Sequence, residues 1–289
     1  MKVLLLGARG QLGSDLRLSG AAHEIIAPAR DALDVTDAGA MRGAIAAARP
    51  DVVINCAAFH NVPLCETEPE QAFRTNVIAV RDIALACAER RVRLVTFSSD
   101  YVFGGDQSTP YAEDAVPHPL QVYGITRLAG EHAALASAPD HAIIIRTCGL
   151  YGAVGASSKG GNFVNGRVAE ARAGQDLEMA SEQVISPTAT IDLARATWQL
   201  LAASGGGPGI YHLVNDGACS WYEFAREIFA LTGSRGTVHP VDRGARTGAM
   251  RRPRYSALAN TRARALGVTL RPWREALAGY VRTTWPEFA

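Results

Sequence analysis

Cysteine is scarce in this chain. Cys56, Cys65, Cys87, Cys148 and Cys219 are the only five in 289 residues. Their number is odd, they are widely spread and no two stand as C-x-x-C, which argues against a disulfide framework and a zinc site. No metal centre is expected. An excess of one charge is missing too: 29 basic residues nearly cancel 28 acidic ones and leave +1. The chain therefore gives no electrostatic reason to expect nucleic acid or a membrane surface as a partner. Long apolar runs are also absent. No stretch approaches the ~20 residues of a spanning helix, and the run from Met1 to Leu6 meets Gly7 too early for a signal peptide. A reducing, cytoplasmic setting is the expectation. No internal repeat is visible, so a solenoid is not expected.

What is present is a soluble, globular composition, 48% hydrophobic and 20% charged, with length enough for a sizeable core and two lobes. Short apolar runs (Val3 to Leu6, Glu24 to Ala27, Val52 to Ile54, Leu94 to Phe97, Ile143 to Ile145) read as strands. Segments of helical period lie between them: Gln11 to Ser19, Asp37 to Ala48, Pro69 to Arg90 and Tyr123 to Ala136. Such alternation predicts an α/β fold with a parallel sheet and crossover helices, and the uniformly apolar strands predict helices on both faces. After about Thr147 the pattern breaks at a loop over 152–161, where a second lobe is expected to begin. Helices are predicted at Asn162 to Ala173, Thr190 to Ala203, Trp221 to Leu231 and Arg271 to Tyr280, with Gly209 to Leu213 returning as a strand to the main sheet.

Gly7-Ala8-Arg9-Gly10-Gln11-Leu12-Gly13 follows the first strand and opens the first helix. In that context glycines let the backbone turn tightly and approach a pyrophosphate facing the helix N-terminus. After the second strand, where an NAD site usually places an acid, the chain reads Pro28-Ala29-Arg30. Arg30 and Arg9 are suited to grip a 2′-phosphate, so NADP(H) is predicted over NAD(H); the alternative is two solvated surface arginines. Asp34, with Val35 beside it, is placed to accept from an adenine amino group, and Asn55-Cys56-Ala57-Ala58 ends the third strand with small residues that let a cofactor cross the sheet.

Ser98-Ser99-Asp100-Tyr101 follows the fourth strand, at the end where open α/β sheets bind ligands. Tyr123 is predicted to begin the next helix, with Arg127 one turn on. Reduction of a carbonyl by hydride needs a proton for the developing alkoxide, and a tyrosine beside a cation can supply it. A neighbouring hydroxyl, Ser99, can orient the substrate oxygen.

These residues resemble the extended short-chain dehydrogenase/reductases, and within them the dTDP-4-dehydrorhamnose reductase family. The resemblance runs along nearly the whole chain and includes Gly10-Gln11-Leu12-Gly13, Asp34-Val35-Thr36, Asn76, Ser99-Asp100-Tyr101-Val102-Phe103, Tyr123-Gly124, Arg146-Thr147, Gly161-Asn162-Phe163 and Arg251-Arg252-Pro253. It implies a Rossmann-type, doubly wound parallel sheet with a smaller C-terminal substrate-binding lobe. Residues 1–148, completed by about 188–213, would hold NADP, and 149–187 with 214–289 would hold a sugar nucleotide. The implied reaction is NADPH-dependent reduction of a nucleotide-linked 4-keto-6-deoxy sugar, with Tyr123 as proton donor, Ser99 polarising the carbonyl and Arg127 in the lysine's place. Implied cofactor contacts are Gly7, Arg9, Gly10, Gln11, Leu12, Arg30, Asp34, Val35, Cys56, Ala57, Ala58, Asn76, Ser98, Tyr123 and Arg127. Implied substrate contacts are His60, Val62, Tyr101, Gly149, Asn162, Phe163 and Arg252.

Three departures stand out. Arg127 keeps the charge but offers a planar fork instead of an ammonium. The loop Ala57 to Leu64 has His60 and Pro63 at positions that border the sugar, and Gly149 stands where the family often has a tryptophan. His60 is read either as a second proton-handling group or as a loop histidine bonded locally. Glu66, Glu68 and Glu70 are read as N-terminal helix charge. Within the basic stretch Arg243 to Arg254, which also holds Arg246, Arg251 and Arg254, the resemblance implies that Arg252 meets a sugar-nucleotide diphosphate rather than the stretch binding nucleic acid, with a solvated basic loop as the alternative; Trp221, Phe224 and Trp273 are read as core of the second lobe. A non-catalytic NADP-binding subunit and a reductase or epimerase for another substrate are the competing readings. Asp15 matches an acidic family position, and a homodimer, with or without an interface ion, is left open.

Overall fold

The computed structural model describes residues 1–154, 161–244, 246–247 and 250–288, with only the backbone of 246 and 247. The first apolar run forms β1 (Lys2–Leu6), buried from Val3 onward. There follow α1 (Gln11–Ser19), β2 (Glu24–Ile26), α2 (Ala38–Ala48) and β3 (Val52–Asn55). Next come α3 (Val62–Thr67), α4 (Pro69–Phe73), a π-helical turn (Arg74–Ile78) and α5 (Ala79–Ala88). The first half closes with β4 (Arg93–Ser99), α6 (Val122–Ser137) and β5 (Ala142–Thr147). The second half holds β6 (Leu150–Tyr151), α7 (Phe163–Arg172), β7 (Leu177–Ala180), β8 (Val184–Ile185), β9 (Thr188–Ala189), α8 (Thr190–Ala202) and β10 (Gly209–His212). It ends with β11 (Cys219–Ser220), α9 (Trp221–Leu231), β12 (Val238–Val241), β13 (Arg246–Thr247), β14 (Met250–Arg251), α10 (Thr261–Ala265) and α11 (Trp273–Thr284).

The main sheet is parallel, in the order β10-β5-β4-β3-β1-β2. Leu16 of α1 with Leu193 and Trp198 of α8 covers one face, and Met41 and Ile45 of α2, Ile83 of α5 and Ala134 of α6 cover the other. Burial on both faces is why the strands carry apolar residues at consecutive positions. From β1 the chain moves outward to β2 and then back past β1 to β3, so the winding reverses between β1 and β3. The crevice at that reversal, outside the carboxyl ends, is where such sheets take ligands. A second core of Tyr151, Val164, Phe224, Trp273 and Leu277 lies in the smaller part, with Trp221 packed at its margin.

The single helix predicted from Pro69 to Arg90 is three segments, because the π-helical turn breaks it. That turn sets Asn76 against the loop after β3: its side chain is 1% exposed, accepts from Phe59 N at 2.9 Å and donates to Phe59 O at 3.0 Å. The last helix starts at Trp273 rather than Arg271 because Pro272 occupies its N-cap. Gly155 to Gly160 of the predicted loop, and the Arg246 side chain of the basic stretch, lie outside the described residues. Among the described residues no helix is long and apolar enough to cross a membrane.

Candidate functional site

The carboxyl ends of β1, β3, β4 and β5 open into a cavity of about 1200 Å³ that extends under the smaller part. One wall is the glycine-rich turn. Gly7 has φ +73°, and a Cβ there would stand 2.8 Å from Ala57 N, so only glycine lets this turn touch the end of β3. Gly10 N–H donates back to Gly7 O at 3.0 Å, and α1 then starts with no side-chain cap and no acidic residue in its first turn. Its positive dipole end faces the cavity through Gly10, Gln11 and Leu12, which suits an anionic phosphate. The facing wall is Cys56, Ala57 and Ala58, held by Asn55 Oδ1 accepting from Ala57 N at 3.0 Å. Burial pushes the Cys56 thiol well up, so it is a neutral wall group. A small-residue floor facing an uncapped helix end fits the pyrophosphate and ribose of a dinucleotide.

Arg9 and Arg30 are exposed. Asp34 Oδ1 accepts from Thr36 N and Thr36 Oγ1, both at 2.9 Å, and these bonds hold its carboxyl below the usual range. It closes a local turn on that oxygen. Val35 packs on the α2–α5 side of the sheet. Asn76, with Arg9, Arg30, Asp34 and Val35, is not part of the large cavity's wall; it ties the Phe59 loop to α6 through Thr126 Oγ1 at 3.0 Å.

Ser99, Tyr123 and Arg127 meet in the cavity. Ser99 ends β4. Tyr123 sits in the first turn of α6, whose Val122 N donates to Glu66 Oε1 at 2.8 Å, so one of the acids read as helix charge caps the helix that carries the tyrosine. Arg127 follows one turn later, its Cζ 5.9 Å from the Tyr123 ring centroid and its Nη1 donating to Asn76 Oδ1 at 3.4 Å. Burial pushes the Tyr123 phenol above its ordinary value, while the Arg127 charge and hydrogen bonding with Ser99 pull it back. Such an arrangement can hold a phenolic proton beside a cation that steadies the phenolate after transfer.

Ser98 Oγ turns inward and donates to Glu131. That carboxylate is gripped by Arg146, with Nη2 to Oε2 at 2.7 Å and Nε to Oε1 at 3.0 Å. The pair locks α6 to β4 and β5 directly behind the site. Neither partner was singled out by spacing, since they face each other only once the strand register is set.

His60, Val62, Tyr101, Gly149, Asn162, Phe163 and Arg252 all line the same cavity. His60 Nδ1 lies 3.4 Å from Ala58 O. Tyr101 packs edge-on to Tyr123 and accepts from Arg252 Nη1 at 3.0 Å; burial pushes its phenol up to about 12. Asn162 caps α7 by accepting from Asn165 N at 2.9 Å and donates to Gly152 O at 2.8 Å, so its side chain is engaged in building the wall. Phe163 packs on Trp221, with ring centroids 4.5 Å apart. Gly149 has φ +55° and sits against Ile185 and Pro187. Arg243 of the basic stretch also lines the cavity, whose far end is completed by Arg167, Glu178, Met179 and Gln183, to which sequence reasoning gives no site role. No spacing signal marks them, because β7 pairs with β12 across a long insertion.

A family model described as the RmlD substrate binding domain matches residues 1–285. The dTDP-4-dehydrorhamnose reductase of Streptomyces griseus is 40% identical over 282 residues, covering 95% of this chain and 91% of that one. The dTDP-4-keto-6-deoxy-D-glucose reductase of Streptomyces niveus is 37% identical over 278 residues, covering 95% and 94%. The crystal structure of dTDP-4-dehydrorhamnose reductase from Bacillus anthracis, a complex with NADP, superposes with a TM-score of 0.90 at 32% identity over 98% of this chain and all of that one.

Proposed function

The chain belongs to the dTDP-4-dehydrorhamnose reductase family, and from that premise we propose that it uses NADPH to reduce the keto group of a nucleotide-linked 4-keto-6-deoxy sugar. One observation carries the reading: a single cavity joins an uncapped helix N-terminus behind a glycine turn to Ser99, Tyr123 and Arg127. A binding-only subunit has no chemical need for that trio. The relatives named for reduction of dTDP-linked keto sugars, and the NADP complex of one of them, support the same substrate class and cofactor.

Bound NADPH supplies the hydride. Gly7, Gly10, Gln11 and Leu12 would receive its pyrophosphate, with the exposed Arg9 and Arg30 serving a 2′-phosphate. Ser99 polarises the keto oxygen and Tyr123 delivers the proton that the alkoxide needs. Arg127 then stabilises the phenolate. Arg252 serves the diphosphate of the sugar nucleotide, and the half-buried loop with His60 and Val62 borders the sugar. Residues 1–148 with 188–213 act as the cofactor half, and 149–187 with 214–289 as the substrate half.

The test is NADPH consumption, followed by absorbance, with dTDP-4-keto-6-deoxy sugars as substrates. Turnover is expected, and Tyr123→Phe should lower kcat by about a hundredfold or more in a protein that still binds NADPH. No turnover with any sugar nucleotide, in a protein that binds NADPH, would overturn the assignment.

A further inference from the structure

Asp100 has no part in the scheme above, yet it lies against Ser99 and is only 4% exposed. Ser99 Oγ donates to its Oδ1 at 2.9 Å, Ser256 Oγ donates to its Oδ2 at 2.6 Å, and the Cys148 thiol also hydrogen-bonds to it. Among the described residues, the other charged or titratable groups that face it are Tyr101 and Tyr123, with Arg252 beside the first and Arg127 beside the second.

A serine hydroxyl carries one proton. In the observed arrangement Ser99 gives that proton to Asp100 and accepts from Tyr101 N at 3.1 Å. It then has none to give a substrate carbonyl. If Asp100 is neutral, its Oδ1–H donates to Ser99 Oγ and the Ser99 proton turns to the cavity. Ser99 then accepts from Asp100 and from Tyr101 N–H, and its own proton is released from Asp100 toward the Tyr123 hydroxyl, its other hydrogen-bond partner, and the keto oxygen in the cavity. Ser256 occupies Oδ2, which leaves Oδ1 as the oxygen that exchanges with Ser99. Burial pushes the Asp100 carboxyl up, against the pull of Ser256, Cys148 and Ser99, so the neutral form is within reach. Ser256 also lies four residues beyond Arg252, whose guanidinium holds Tyr101, the neighbour of Asp100.

We propose that Asp100 is a positioning residue for carbonyl reduction, which bridges Ser99 and Ser256, sets the direction of the Ser99 hydroxyl and ties it to the segment carrying Arg252. The proposal rests on the reductase reading for its kinetic consequence but not for its geometry. Neutral Asp100 is the productive form, so the reduction kcat falls as pH rises through its ionisation.

Asp100→Asn retains a donor toward Ser99 and cannot ionise. It is expected to keep kcat within about threefold of wild type at low pH and to lose that fall from the pH profile. Asp100→Ala removes the donor and should lower kcat by about ten- to a hundredfold, less than deletion of an oxyanion donor outright. A profile for Asp100→Asn that superimposes on wild type overturns the proposal, and decides it even if the alanine variant does not fold. Neutron diffraction from deuterated wild-type crystals gives a readout that needs no substrate. The Ser99 deuterium should point at Asp100 at high pH and into the cavity at low pH; one orientation at both would overturn the proposal. That measurement stands if no sugar nucleotide is turned over, so the two failures are told apart.

Discussion

Replacing Glu131 with glutamine tests the bracing behind the site. Glu131 and Arg146 are each 2% exposed at the side chain, and their contact is bidentate, with Nη2–Oε2 at 2.7 Å and Nε–Oε1 at 3.0 Å. Arg146 also stacks over Phe103, its Cζ 5.1 Å from the ring centroid. Glu131→Gln keeps the shape and one acceptor but leaves a buried guanidinium without its counter-charge, a class of change that costs about 3–5 kcal/mol. Because the amide still accepts a hydrogen bond, the low end is expected, about 3 kcal/mol, or roughly 5 °C in Tm for a chain of this size. Adding Arg146→Met removes the orphan charge, and the double variant should recover to within about 1–2 kcal/mol of wild type. Urea unfolding followed by tryptophan fluorescence reads both. A single variant within about 1 kcal/mol of wild type, or a double variant less stable than the single one, would refute the reasoning.

Gly7→Ala is expected to weaken NADPH binding by at least about tenfold, because an alanine at φ +73° is strained and its Cβ displaces the Ala57 backbone that floors the cavity; an unchanged Kd in a fluorescence titration would contradict this. His212 is held neutral, since burial, with Arg146 nearby, drives its pKa from 6.5 down to about 3. The unfolded chain binds that proton below 6.5, so this part of the stability is full above 6.5 and is lost as pH falls toward 3, with a slope approaching about 1.4 kcal/mol per pH unit. Urea midpoints across that range should drop less steeply for His212→Gln, and equal slopes would count against the assignment.

The six strands of the main sheet and helices such as α1 and α9 were legible because each is fixed by local periodicity and burial. The helix from Pro69 was read as continuous because nothing local marks a π-helical turn; its cause is tertiary, the anchoring of Asn76 to Phe59. At the site, glycine spacing and the Tyr123–Arg127 interval are short-range signals and could be seen. Glu131 with Arg146, Asp100 with Ser256, and Glu66 with Val122 N are contacts between residues far apart in sequence. Each depends on register and crossover geometry, which composition and spacing do not encode. The lining at Arg167, Glu178 and Met179 carries no sequence signal for the same reason.

The return of β10 to pair with β5 has a consequence for how this protein can be rebuilt. The chain leaves the sheet after Thr147, adds cavity-lining residues such as Gly149, Asn162 and Phe163, and comes back at Gly209 before leaving again. The smaller part with its own core is therefore not a cassette at one end of the gene: exchanging it with a relative's needs three junctions, and a cut at Thr147 would strip β5 of its outer neighbour and leave an open parallel edge. Selection for a new sugar is accordingly expected to proceed by point changes around the cavity rather than by module swapping.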